Sequence, residues 1–326
     1  MVQPFAFSLK PFLVTVAPLL ALYCALIFVA SLLGGMIPLV VRLTHKRMEM
    51  AVSFVAGLML GVGALHLLPH AIVELGATGK LDYIMWSLMG GFLAMFFVER
   101  FFCYHHHDAP DEDGEQGSGI GVQGTASDVA AGTRCGHDHH HHDHAHGHRR
   151  ADEDAPIHGD HAMTWTGAAI GMTLHSVLDG VALAASVAAE ADGHRHAALA
   201  GFGTFLVVFC HKPFDSLTLG TLLARGPRRS PASHFINALF SLAVVGGVLL
   251  FQAGLAGTPG QHDAFLACSL AFAAGTFLCI AMSDLLPELQ FHHHDRIQLS
   301  LALLAGLAIA WLIGFFETSG HQLPPT

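Results

Sequence analysis

Apolar runs separated by short polar links recur along most of the chain. Those long enough to form a helix across a hydrocarbon layer of roughly 30 Å fall at 14–41, 51–75, 83–103, 163–189, 197–224, 233–256, 264–288 and 297–317. The pattern predicts an all-α integral membrane protein with eight transmembrane helices. Only Lys10 precedes the first run, which is too long for the apolar core of a secretory signal, so it reads as a retained helix. Between the third and fourth runs the pattern fails. Residues 104–161 are rich in Gly, Asp and Ala, carry few large apolar side chains and cannot bury a core, which predicts a disordered connection. The expected organisation is three helices within 1–103, a loop over 104–161 and five helices within 162–326.

Composition fits a chain that lives in lipid. Of 326 residues, 52% are hydrophobic and only 12% charged, and the mean hydropathy is positive. The net charge of −10 arises largely in the connections and does not point to nucleic acid. Cys24, Cys103, Cys135, Cys210, Cys268 and Cys279 include no CxxC pair, and most sit in apolar runs as small packing residues, so no disulfide framework is expected. Lys and Arg set the orientation. Eleven of the 15 lie in the links after odd-numbered helices: Arg42, Lys46, Arg47, Arg100, Arg134, Arg149, Arg150, Arg225, Arg228, Arg229 and Arg296. Positively charged links stay cytoplasmic, so the long loop is expected inside and both termini outside.

The candidate chemistry lies on the fourth and fifth helices. His175 and Asp179 stand four residues apart, and His211 and Asp215 repeat that spacing 36 residues later. On a helix such positions share a face about 6 Å apart along the axis, so each helix offers one imidazole and one carboxylate on the same side. An ionisable group at membrane depth costs about 2.5–3.5 kcal/mol on insertion scales and normally faces a cavity or a partner. One such pair reads as a structural charge network neutralised by Lys212. The same pair on two successive helices reads as a metal site of two nitrogens and two carboxylates. Pro213, Gly180 and Gly220 are expected to let the two helices bend around it, and the small residues from Ala182 to Ala189 to let them approach closely.

Softer signals lie elsewhere. His66 and His70 are four apart on the second helix, with Pro69 between them. His66 is a candidate ligand on the uptake side of the path, and His70 reads as an interfacial residue. Asp284, Glu288 and His292, His293 and His294 could receive a departing cation but also suit an ordinary solvated helix end. The connection 104–161 carries half of the 26 histidines. Its tract His137, His139, His140, His141, His142, His144, His146 and His148 reads as an exchangeable metal buffer away from the path.

These segments resemble the ZIP (Zrt/Irt-like) family of divalent-metal transporters, in particular its plasma-membrane branch. The resemblance rests on His175, Ser176 and Gly180 for HSxxxG, on HKPFDSLTLG from His211 to Gly220, on HLLP at 66–69 and on AGTFLCIAMSDLLPEL at 274–289. It implies eight helices, outward termini, a variable cytoplasmic loop between helices 3 and 4, cation movement into the cytoplasm, and often a homodimer. The chain departs from the family in carrying Asp179 and Asp215, where Glu is common at one or both positions. Some relatives place metal-binding side chains directly after the two leading histidines. Here those positions are Ser176 and Lys212, and the sixth helix supplies no carboxylate, which predicts a single metal site with Lys212 near Asp179 or Asp215.

The resulting expectation is a carrier that brings Zn²⁺ or Fe²⁺ into the cytoplasm through His175, Asp179, His211 and Asp215. The divalent ion is cargo, and no cofactor is expected. A cation-diffusion-type exporter is the alternative, but that class usually has six helices and a soluble C-terminal domain. A membrane metal sensor leaves the His and Asp pairs unexplained. Enzymatic function is not expected, because HExxH-like, GxSxG and phosphate-cradling motifs do not occur.

Overall fold

The computed structural model describes residues 9–40, 45–76, 81–103, 161–191, 199–225, 231–258, 260–291 and 296–318. Among the described residues the chain is helical throughout. The elements are α1 (Leu9–Val40), α2 (His45–Val62), α3 (Leu68–Leu75), α4 (Leu81–Val98), α5 (His161–Ala191), α6 (Phe202–Arg225), α7 (Pro231–Ser241), α8 (Ala243–Ala256), α9 (His262–Phe291) and α10 (Arg296–Thr318). A π turn at Gly63–Leu67 joins α2 to α3, another at Glu99–Cys103 extends α4, and α7 and α8 form one span interrupted at Leu242. The result is eight spans.

Seven of these spans are long and apolar enough to cross a membrane by length and composition. The other, α6, has 24 residues but carries His211, Lys212 and Asp215, which lower its mean hydropathy. The chain is a multi-pass membrane protein. Large apolar side chains such as Trp86, Phe101 and Trp311 face outward on α4, its π turn and α10, where hydrocarbon is the natural solvent. Leu58, Met59, Leu183, Leu270 and Phe277 are fully buried and mark α2, α5 and α9 as the inner helices.

Two local departures from the expected spans have clear causes. The fifth span begins at Phe202 and not near 197, because Gly201 takes a left-handed φ of 72° and ends the turn from α5. The second span changes gauge at Gly63–Leu67, where the Leu68 N–H bonds to the Gly63 carbonyl five residues back. Pro69 follows without an N–H to continue the α-helical ladder.

The most extensive contacts pair α2 with α10, α4 with α9, α1 with α6 and α5 with α8. Glycine makes each approach close. A Cβ on Gly180 would collide with the Val244 carbonyl, and one on Gly247 with the Val177 carbonyl. Gly57 and Gly306 seat α2 on α10, Gly91 and Gly275 seat α4 on α9, and Gly34 brings α1 against the backbone at Pro213. In hydrocarbon such backbone contact gives helices the van der Waals packing that holds them together. Exchanging spans 1, 2, 3 and 4 with 6, 7, 8 and 5 maps this set of pairs onto itself. Each exchange also reverses helix direction, which is the relation of an inverted repeat, and α5 and α6 are the pair that lies on its axis.

Both α5 and α6 run as single helices, with Pro213 inside α6. The tract from His137 to His148, and His292, His293 and His294, lie outside the described residues. Asp284 and Glu288 fall within α9, but their side chains are likewise outside the description.

Candidate metal centre

Packing of α5 against α6 turns the two HxxxD faces toward each other. His175 Nε2 lies 3.4 Å from His211 Nε2, 3.4 Å from Asp179 Oδ2 and 3.6 Å from Asp215 Oδ2. His211 Nε2 lies 3.1 Å from Asp179 Oδ2 and 3.8 Å from Asp215 Oδ2. These are five of the six edges of a four-cornered ligand set. A tetrahedral zinc with bonds of about 2.0–2.1 Å has ligand-to-ligand edges of about 3.3–3.4 Å, inside the observed spread.

The hydrogen bonding has a gap that a cation would fill. Val207 O can only accept, and His211 Nδ1 donates to it over 2.8 Å, as the outer nitrogen of a metal-bound histidine commonly does. In a neutral ring, His211 Nε2 then presents a lone pair to Asp179 Oδ2, so two acceptors face each other and a proton or metal must sit between them. Asp215 Oδ2 is buried and stands 3.5–3.8 Å from Lys212, His175 and His211, yet accepts no hydrogen bond. A buried carboxylate oxygen without a hydrogen bond is costly inside a protein.

Lys212 closes one side of the cluster. It is fully buried. Its ammonium is 3.5 Å from Asp179 Oδ2 and 3.5 Å from Asp215 Oδ2, lies 4.7 Å from the centre of the Phe240 ring and donates a hydrogen bond to Ser176 Oγ. Ser176 in turn donates to Met172 O over 2.8 Å. The ammonium therefore bridges both carboxylates. Phe240, on α7, was not singled out in the sequence, where one aromatic residue in an apolar run carries no distinguishing signal.

Exposure within the cluster rises toward the side where the 104–160 connection attaches. The Asp215 side chain is 20% exposed, against 1% for Asp179. Asp215 is the most exposed corner of the four.

His66 does not join this centre. Its Nε2 donates to Glu190 Oε1 over 2.9 Å at the far end of α5, and its ring meets that of half-buried His70 edge-on at 4.8 Å between centres. Glu190 also accepts from Ser186 Oγ at 3.0 Å and from the Gly201 N–H at 2.7 Å. Glu190 was missed in the sequence. Its only signal was an acidic residue closing an otherwise apolar run.

The sequence profile described as "ZIP Zinc transporter" matches residues 18–314. Among curated proteins the chain is similar to the zinc transporter ZIP4 of Rattus norvegicus, with 24% identity over 85% of this chain and 44% of the relative. It is also similar to the zinc transporter foi of Drosophila melanogaster, at 31% over 45% of this chain and 20% of the relative. The zinc transporter ZIP10 of Danio rerio is 29% identical over 51% of this chain and 19% of its own length. The chain thus spans less than half the length of these relatives.

Proposed function

Since this chain belongs to the ZIP zinc transporter family, we propose that it carries Zn²⁺ across the membrane into the cytoplasm through one site formed by His175, Asp179, His211 and Asp215. The observation that carries this reading is the set of five ligand-to-ligand distances between 3.1 and 3.8 Å. Two imidazoles and two carboxylates in that compact shape suit a small tetrahedral cation, whereas Fe²⁺ and Mn²⁺ favour more ligands. The relatives' names speak of zinc, and none speaks of iron.

Reversible binding follows from the ligand types. No thiolate enters the set, and the Lys212 ammonium competes with the incoming cation for both carboxylates. Rocking of the helix pairs about α5 and α6 would expose the site alternately to the two sides. Exposure at Asp215 supports an inward-facing state of that cycle. The distribution of Lys and Arg supports a cytoplasmic 104–160 connection and outward termini. The plasma-membrane location and the homodimer rest on the resemblance of the helix 4 and helix 5 motifs to the plasma-membrane branch. The histidine tract 137–148 is assigned to binding cytosolic metal, and Ser176 to seating Lys212.

Purified protein in liposomes, supplied with radiolabelled Zn²⁺ and challenged with Fe²⁺, Mn²⁺ and Cd²⁺, tests this function. Saturable zinc uptake that excess Mn²⁺ leaves largely intact is expected. Absence of uptake by correctly inserted protein would refute it.

A further inference from the structure

We propose that His66, His70 and Glu190 form a second divalent-cation site, at the end of the bundle opposite the 104–160 connection, suited to Zn²⁺. Its use as a waiting position for incoming ions rests on the transport reading above; binding itself does not.

One ligand atom from each of the three side chains lies within 4.8 Å of the others. His66 is 3% exposed, and Glu190 has 10% of its side chain exposed. Two imidazoles and one carboxylate are the donor set of open zinc sites, which hold a tetrahedral ion with three protein ligands and leave the fourth position to water or exchange. A plain His66–Glu190 hydrogen bond would need no second histidine. Yet the His70 ring stands edge-on to His66, and both rings come from the segment where the π turn Gly63–Leu67 hands over to α3. Such π turns occur often at functional sites.

Glu190 is oriented as a metal-bound carboxylate usually is. Ser186 Oγ donates to Oε1, and the Gly201 N–H donates to Oε2, so the carboxylate is held by groups that do not themselves bind metal. Without a cation, the His66 Nε2–H bridges to Glu190 over 2.9 Å. A bound ion replaces that proton and opens the pair by a few tenths of an ångström toward the edge of about 3.3 Å expected of a tetrahedral site. Glu190 lies eleven residues beyond Asp179 on the continuous helix α5, about 16 Å along its axis. An ion held there is separate from the central cluster and lies on the approach to it in the inward direction.

Zinc-edge anomalous diffraction from crystals of the full chain soaked in ZnCl₂ locates each ion separately, so zinc on the histidine-rich connection does not confuse the result. Peaks are expected both between His175 and His211 and between His66, His70 and Glu190. His70→Ala and Glu190→Gln should each abolish the second peak and leave the first; Glu190→Gln keeps the side chain that bonds Gly201 and Ser186. A full central peak with nothing at His66 at saturating zinc overturns the site, and so does a second peak that survives both substitutions. A peak at His66 with an empty centre upholds this site and instead refutes the single central site. In liposomes, His70→Ala should raise the half-saturating zinc concentration by about tenfold or more with the maximal rate retained. An unchanged half-saturation overturns the waiting role.

Discussion

Replacing Lys212 with Met should tighten zinc binding and slow transport. The ammonium stands 3.5 Å from Asp179 Oδ2 and 3.5 Å from Asp215 Oδ2. A cation at bonding distance from both oxygens lies about 4 Å from the ammonium, where a divalent and a monovalent charge repel by about 8 kcal/mol at an effective dielectric of about 20. Part of that repulsion is not recovered in the variant, because two carboxylates left without their ammonium hold a proton that zinc must displace. With about one third surviving, near 2.8 kcal/mol, affinity rises about a hundredfold. Met approximates the length of the lysine stem and keeps the contact with Phe240. Competition against a zinc chelator, on purified protein lacking residues 108–157, reads the affinity, and radiolabelled zinc uptake reads the rate. Tighter binding with a reduced maximal rate is expected, since release becomes limiting. Binding that is unchanged or weaker in a folded Lys212→Met variant would refute the idea that the ammonium opposes the cargo.

Substituting His175, Asp179, His211 or Asp215 by Ala should each cut uptake sharply while the protein stays in the membrane; near-normal uptake in any two of them would exclude the central site. Deleting residues 108–157 should leave maximal uptake substantial and alter metal-dependent turnover, as read by uptake and protein half-life, whereas loss of transport in a correctly inserted deletion would place the connection on the route. Without that connection, zinc titration of Lys212→Asp should release one more tightly bound equivalent than its parent on denaturation, and equal stoichiometry would count against Lys212 as the group that excludes a neighbouring ion. Gly247→Val should lower thermal stability in detergent, because its side chain meets the Val177 carbonyl; an unchanged melting temperature would show that the α5–α8 contact gives way easily.

What could be read from the sequence depended on how local the physical cause was. Apolar length is local, so the spans were legible, even for α6, whose site residues dilute its hydropathy. The HxxxD spacing is local too, and it set His175 beside Asp179 and His211 beside Asp215 before any packing was known. The start of α6 was misjudged because the left-handed Gly201 sits among small residues that look like continued helix. In the sequence Gly180 reads as room for bending, but the structure uses it for close approach to Val244 and Gly247. That use depends on a helix more than sixty residues away, which nothing near Gly180 announces. Glu190 was illegible for the same reason, since its significance comes from His66, and these two residues lie 124 positions apart.

The inverted-repeat pattern of helix contacts explains why one spacing appears twice. Exchange of α5 with α6 carries His175 onto His211 and Asp179 onto Asp215, so a metal site on the axis would take the same two ligand types from each half. The residue after each leading histidine obeys the same exchange, which makes Ser176 and Lys212 equivalents. A symmetric pair of ligating side chains there would build a second site beside the first. This chain breaks the symmetry at that place: Lys212 crosses the axis to donate to Ser176 and spans both carboxylates. On the proposed reading the ammonium would neutralise charge that could otherwise attract a second divalent ion, and it has no lone pair to hold one. On the proposed reading, one fixed positive charge 3.5 Å from both carboxylates would let the two HxxxD half-sites close around one ion at a time.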